Sequence, residues 1–201
     1  MVSNTLLLPN GYHELMKVDL QKDKKLALFI NVGSLFILAA MVVPAAIICP
    51  PVDFISIMEN PNGFQNDLLT FLLRWLPLLG GMIVYFVLHE LTHGICMKLF
   101  SKSKVKYGFT GLYFFAGSKA YFNKKSYVIT ALAPVLILGL LLLMLNLLCG
   151  ASWFWIIYLI QCINVSGSIG DFYVSAKFLR LPPDVLIQDT GVSMTVYSKS
   201  E

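Results

Sequence analysis

The chain has 201 residues, of which 57% are hydrophobic and 13% charged, and its formal net charge is +4. A soluble domain is about half apolar and about a quarter charged, so this composition excludes an ordinary soluble protein and predicts an integral membrane protein. The basic residues lie in loops beside apolar runs, a distribution that excludes a nucleic-acid-binding surface and a nucleic-acid partner.

Four apolar segments are long enough to cross about 30 Å of hydrocarbon as helices. They run from about Leu26 to Cys49, Leu68 to Phe100, Tyr127 to Cys149 and Trp153 to Ala176. The predicted fold class is therefore an all-α polytopic membrane protein. Its four transmembrane helices form one core at residues 26–180, flanked by an N-terminal segment at 1–25 and a tail at 181–201.

The loop charges predict the orientation of this core. Basic residues gather before the first helix, in the second loop and after the fourth helix, whereas the first loop is acidic. The basic residues are Lys17, Lys22, Lys24, Lys25, Lys98, Lys102, Lys104, Lys106, Lys119, Lys124, Lys125, Lys177 and Arg180, and the acidic ones are Asp53, Glu59 and Asp67. An excess of Lys and Arg marks the cytoplasmic side. We therefore expect a multi-pass protein of the cell membrane with both termini and the second loop in the cytoplasm.

The second loop, residues 101–126, carries a strand pattern. Val105, Tyr107 and Phe109 alternate with other residues, and aromatic triplets at 113–115 and 120–122 flank the small-residue stretch Ala116–Lys119. This pattern predicts an aromatic β-hairpin on the cytoplasmic side, although the same residues would suit an interfacial aromatic belt. In the tail, residues 191–197 alternate like a short strand.

The second predicted helix contains His89-Glu90-Leu91-Thr92-His93, an H-E-x-x-H motif. Residues four apart lie on one face of a helix, so His89 and His93 can bind one metal ion. Glu90 is then placed to act as general base toward the water that the metal activates. Because ionisable residues at membrane depth are costly, they indicate a functional site more than packing against neighbouring helices.

A catalytic zinc site usually takes a third protein ligand. Asp171 is the strongest candidate, because it is the only acidic residue within any other predicted span, whereas His13 lies among polar residues far from the spans. Asp171 shares one heptad-like face of the fourth helix with Gln161, Asn164, Ser168 and Ser175. Such a polar face must point into the bundle or a water-filled cavity. Interhelical hydrogen bonds would explain the serines and Asn164, but not a carboxylate without a cationic partner.

The depths of these residues agree. His93 lies five residues before Lys98, and Asp171 lies six residues before Lys177. Each is therefore roughly 8–9 Å from the expected cytoplasmic boundary, which predicts a shared site near that face.

Taken together, these residues resemble the site-two type of intramembrane zinc metalloprotease. More narrowly, the chain is similar to a group of short bacterial membrane proteins classed as zincin peptidases. The resemblance rests on the H-E-x-x-H motif, the aromatic loop after it, Ala131-Leu132-Ala133-Pro134 in the next helix, and Asn164 ahead of Asp171. Two features of the site-two pattern are absent, a Pro between the Asn and the Asp and a Gly directly after the Asp.

The resemblance implies that Zn²⁺ is the cofactor, with His89, His93 and Asp171 as ligands, Glu90 as catalytic base and Asn164 in substrate binding. The predicted function is intramembrane hydrolysis of peptide bonds, with the lipid bilayer and a membrane-protein or peptide substrate as partners. Two alternatives remain open at this stage: a metal-binding transporter or sensor without hydrolysis, which has no use for Glu90, and an inactive protease-like scaffold.

Overall fold

The computed structural model describes residues 2–19, 22–51, 64–111 and 113–199. Within these ranges the helices are α1 (Lys24–Ile48), α2 (Phe64–Ser101), α3 (Lys124–Leu148), α4 (Phe154–Gly167) and α5 (Ile169–Leu179). The strands are β1 (Tyr12–Asp19), β2 (Val105–Phe109), β3 (Phe114–Ser118), β4 (Tyr121–Asn123), β5 (Leu186–Asp189) and β6 (Ser193–Lys199). The acidic first loop around Asp53 and Glu59 lies outside the described residues.

Four helical segments of the described chain are long and apolar enough to cross a membrane, as predicted. They are α1, α2 from Phe71 onward, α3, and the stretch Ala151–Leu179 that contains α4 and α5. Many large apolar side chains on these helices are exposed, among them Phe36 at 73% and Leu136 at 66%. Such a surface is stable against lipid rather than water.

Short polar side chains begin two of the helices. The Asp23 carboxylate accepts hydrogen bonds from the backbone N–H groups of Lys25 and Leu26 at the start of α1. The Asn123 side chain accepts from the N–H of Ser126 at the start of α3. Both residues satisfy donors that a helix N-terminus leaves free.

The fourth predicted helix is interrupted. Sequence patterning indicated one continuous helix from Trp153 to Ala176, but α4 ends at Gly167 and α5 begins at Ile169. At the interruption the Ser168 hydroxyl donates to the backbone carbonyl of Asn164 at 2.8 Å. The predicted polar face does point into the protein: Asn164, Ser168 and Ser175 are buried.

The predicted all-α class holds only in part, because the described chain is mostly helical but also contains two small antiparallel sheets. One is four-stranded, in the order β1-β6-β5-β4, and the other is the β2–β3 pair. The tail strand is confirmed as β6, but β1 was not foreseen. Half of its residues are exposed, and the apolar Leu15 and Met16 are adjacent rather than alternating, so it lacks a regular strand signal; it forms by pairing with β6 at the sheet edge.

This sheet places several segments at one end of the helical bundle. The segment before α1 pairs with the segment after α5, from Tyr12 opposite Lys199 to Asp19 opposite Ser193. The strand just before α3, β4, pairs with β5. Fully buried Phe122, Phe178 and Val196 pack the sheet against the ends of the helices. The two termini and the loop between α2 and α3 therefore meet at the same end.

The predicted hairpin is present as β2–β3, and the small-residue stretch Ala116–Lys119 does not form its turn. Ala116, Gly117 and Ser118 instead belong to β3. Gly117 is required there because a Cβ at this position would come within 2.2 Å of the backbone of Thr190. The turn between β5 and β6 thus packs directly on β3.

Candidate metal centre

One face of α2 carries the motif histidines. Tyr85, His89 and His93 are spaced four residues apart, so they lie one above another along the helix. The Nε2 atoms of His89 and His93 are 3.2 Å apart. The H-E-x-x-H spacing therefore brings the two imidazoles to one point, as predicted.

Asp171, in the first turn of α5, completes the group. Its Oδ2 lies 3.5 Å from Nε2 of His89, and its Oδ1 lies 3.6 Å from Nε2 of His93. The His side chains are 12% exposed and the Asp171 side chain 23%. Among the described residues these three form a group that could hold a metal ion. The interruption at Ser168 sets the start of α5, and with it Asp171, opposite α2.

The hydrogen bond of His93 determines where its ring proton lies. The Nδ1 atom is 2.9 Å from the backbone carbonyl oxygen of Thr130. A carbonyl can only accept, so Nδ1 carries the proton, and in neutral imidazole the other nitrogen then has a bare lone pair. That lone pair, on Nε2, points at His89 and Asp171.

The proton of His89 is assigned by a longer chain of bonds. The Asn164 Nδ2 group donates to the carbonyl of Val135 at 3.1 Å, which orients the amide, and Tyr85 Oη donates to Asn164 Oδ1 at 3.2 Å. The Tyr85 oxygen, 3.0 Å from His89 Nδ1, can then only accept from it. Nε2 of His89 therefore also carries no proton and presents a lone pair.

These donors fit a zinc ion. Tetrahedral Zn²⁺ with ligands at about 2.0–2.1 Å requires ligand atoms roughly 3.3 Å apart. The two imidazole nitrogens are 3.2 Å apart, and the Asp171 carboxylate approaches each of them with a different oxygen, at 3.5 and 3.6 Å. Two lone pairs and a carboxylate that converge in a largely buried site repel one another without a cation. Two histidines and one carboxylate also match the donor set of catalytic zinc sites.

Glu90 lies beside this group rather than within it. Its carboxylate accepts a hydrogen bond from the backbone N–H of Ala116 in β3. It lines the same cavity, of about 270 Å³, as His89, His93 and Asp171. The carboxylate is thus held close to the ligands without taking a ligand position.

The edge of β3 faces this cavity. Thr110 N–H donates to the Tyr113 carbonyl at 3.0 Å, so these residues form a bonded pair next to the turn. Bonded and non-bonded pairs alternate in an antiparallel ladder, so the backbone groups of Phe114, Ala116 and Ser118 point away from β2. Phe114 and Ala116 both line the cavity.

Asp189, at the end of β5, was not foreseen as a site residue. It lines the cavity and is only 7% exposed. Its Oδ2 accepts from the Tyr127 hydroxyl at 3.0 Å, and its Oδ1 accepts from the N–H of Gly191 at 2.8 Å. The Asp-x-Gly sequence could have predicted the turn, but no local signal predicts that the tail returns to the metal ligands.

Burial raises the pKa of Asp189 from 3.8 to about 6, although hydrogen bonds from Gly191 and Tyr127 and the nearby His93 lower it, and Asp171 adds to the rise. A raised carboxyl pKa stabilises the folded protein below the unfolded value, and this stability is lost as pH rises through the folded value. We expect metal-free protein to lose roughly 3 kcal/mol between about pH 4 and pH 7 from this group.

The contribution of Asp189 to this pH dependence is the difference between wild type and a variant without the carboxyl group. The melting temperature of chelated wild type and Asp189→Asn, measured in detergent from pH 4 to 7, should fall more steeply for wild type. Parallel curves would mean that Asp189 does not titrate in this range. Exposed Glu14→Gln, an acid-to-amide substitution in β1 away from the cavity, is the control.

The two other polar residues considered from sequence lie away from the cavity wall. His13 is exposed in β1, as expected of a surface histidine. Asn164 is fully buried, and its amide is bonded to Val135 and Tyr85. The structure thus places Asn164 behind His89, and its contact with substrate stays a prediction.

Comparison with known proteins identifies one relationship. A family model described as putative zincin peptidase matches residues 82–186, which is 105 of the 201 residues. The match includes the H-E-x-x-H motif and Asp171 and ends just before Asp189. No curated protein and no solved structure matches the chain.

Proposed function

The chain belongs to the putative zincin peptidase family, and from this membership we propose that it is an intramembrane zinc metalloprotease of the site-two type. The observation that carries the proposal is the convergence of His89, His93 and Asp171 within apolar helices. The family match supports a metallopeptidase, and the four apolar helices support a substrate in or near the membrane.

In this proposal Nε2 of both histidines and the Asp171 carboxylate hold Zn²⁺. Bound zinc supplies Lewis acidity, which acidifies water and polarises a peptide carbonyl. The hydrogen bonds to Thr130 and Tyr85 keep the histidine lone pairs turned toward the ion.

Glu90 acts as general base and then general acid. Its carboxylate takes a proton from the attacking water and returns it to the nitrogen of the leaving amine. The N–H of Ala116 supports this role because it orients the carboxylate toward the cavity while leaving acceptor capacity for the proton.

The substrate is proposed to bind as an extended strand along β3. A transmembrane helix buries its carbonyls in internal hydrogen bonds, so it must unwind before attack. The outward backbone groups of Phe114, at the part of the β3 edge that lines the cavity and is not bonded to Glu90, offer replacement partners by strand addition.

Phe114→Pro tests this binding mode. The substitution removes an outward N–H of β3 but none of the bonds to β2. One lost backbone hydrogen bond costs about 1 kcal/mol, so turnover should fall about five- to tenfold with zinc still bound. Phe109→Pro is the matched control, because Phe109 lies opposite Phe114 and its N–H points to the other edge of the hairpin. Equal turnover in the two variants would remove strand addition from the mechanism.

The end of the bundle that carries the sheet and the cavity is proposed to face the cytoplasm of a cell-membrane protein. The lysines of the loop between α2 and α3 support this orientation. Lys102→Cys, introduced at this exposed position after the native cysteines have been replaced by Ser, should therefore react with a membrane-impermeant reagent only in permeabilised cells.

The proposed activity is tested with zinc-loaded protein and a single-span substrate, by measuring zinc content and cleavage together in wild type and Glu90→Gln. Zinc binding without cleavage in wild type would instead favour the metal-binding transporter or sensor. Absence of both would favour the inactive scaffold.

A further inference from the structure

Pro134 interrupts the backbone hydrogen bonding of α3 beside the candidate metal centre. In an α-helix the N–H of residue 134 would donate to the carbonyl of residue 130, four positions earlier. Proline has no N–H, and its ring displaces that carbonyl outward. Thr130 is 2% exposed, so its carbonyl cannot turn to bulk water and requires another donor.

That donor is a metal ligand. Nδ1 of His93 lies 2.9 Å from the Thr130 carbonyl oxygen. This one hydrogen bond gives the Thr130 carbonyl a donor. It also keeps the proton of His93 on Nδ1, so that Nε2 carries only a lone pair. A residue with an N–H at position 134 would compete with His93 for the same oxygen.

We propose that Pro134 is a positioning residue of the metal centre: it frees the Thr130 carbonyl to hold His93 in the tautomer and orientation that ligate the metal. The inference rests on the proposed zinc function but concerns residues outside the ligand set. It also explains why an apolar helix that needs no bend for length carries a proline beside the site.

The adjacent part of α3 supports the other histidine. The carbonyl of Val135, next in sequence, accepts from Asn164 and so begins the chain through Tyr85 to His89. Gly139 provides the space, since a Cβ there would lie 3.0 Å from the Asn164 amide nitrogen. Consecutive turns of α3 thus orient both histidines from behind.

The test compares zinc affinity in wild type, Pro134→Ala, Pro44→Ala and Pro77→Ala. The last two remove prolines from inside α1 and α2, away from the site, and control for straightening a membrane helix. Loss of an outer partner of a metal ligand typically lowers affinity about 10- to 100-fold. We expect that loss for Pro134→Ala, and near-wild-type affinity for both controls. Equal affinity in all four proteins would overturn the proposal.

A second measurement detects the tautomer of His93 directly. In metal-free wild type in mildly alkaline buffer, imidazole ¹⁵N shifts should show His93 protonated at Nδ1 and bare at Nε2. In Pro134→Ala the His93 signals should move toward the Nε2-protonated form, a change that altered packing alone does not require. Wild-type His93 protonated at Nε2 would refute the inference. The failure of wild type to bind zinc would instead refute the proposed function, whatever tautomer His93 adopts.

Discussion

Glu90→Gln should lower hydrolysis of a single-span substrate by about 10²- to 10⁴-fold, the usual contribution of a general base, while zinc content stays at the wild-type level. The amide of Gln has the same shape and can still accept the N–H of Ala116, so the edge of β3 keeps its contact. It cannot take a proton from water, so the loss falls on proton transfer alone.

The measurement pairs metal analysis with product formation on the same preparation. Glu14→Gln, an identical substitution at an exposed position in β1, should cleave at the wild-type rate. If Glu90→Gln cleaves normally, Glu90 is not the base. If it loses zinc as well, Glu90 contributes to metal binding, and the lost cleavage says nothing about proton transfer.

Asp171→Asn should weaken zinc binding by more than about 100-fold, the largest loss typical of a residue that only hydrogen-bonds a metal ligand. Cleavage should be lost with it. The substitution keeps the side-chain volume but removes the negative charge that balances the ion and lies 3.5 and 3.6 Å from the two histidine nitrogens. Equilibrium competition with a chelator of known affinity gives the value.

Asp189→Asn is the matched control, because it changes the same side chain in the wall of the same cavity. The Asp189 oxygens are bonded to Tyr127 and Gly191, so this variant should keep zinc affinity within a few-fold of wild type. If Asp189→Asn lost more zinc affinity than Asp171→Asn, the third ligand would be Asp189 in β5 rather than Asp171. If both variants kept wild-type zinc affinity, neither carboxylate would be a ligand and the two histidines alone would hold the ion.

The sequence alone predicted the four apolar spans, because burial in hydrocarbon demands long apolar runs that are visible in composition. It predicted the pairing of His89 and His93 for a similarly local reason, since helical spacing places them together whatever surrounds them. Asp171 was found by exclusion, as a carboxylate that an apolar span tolerates only with a partner. The hairpin strand at 105–109 was also visible, in its alternation.

Other features depend on contacts between distant segments. The sheet that joins β1 to β6 forms by backbone pairing, which any sequence can provide, so β1, whose apolar residues do not alternate regularly, carried little signal. The interruption at Ser168 lies within a continuous apolar span, and Gly117 of β3 packs against Thr190, which is far away in the sequence. For the same reason the four-stranded sheet was not predicted, although the four apolar spans were.

At the metal centre the division between sequence and structure is equally clear. Sequence predicted the groups that are proposed to bind the ion and move the proton, because those functions require particular side chains at helical spacing. Only the tertiary structure decided which atoms hold them: the Thr130 carbonyl, the Tyr85 hydroxyl, the Ala116 N–H and the returning Asp189. Backbone carbonyls and N–H groups are common to nearly every residue, so their roles follow from the packing that brings them to the site.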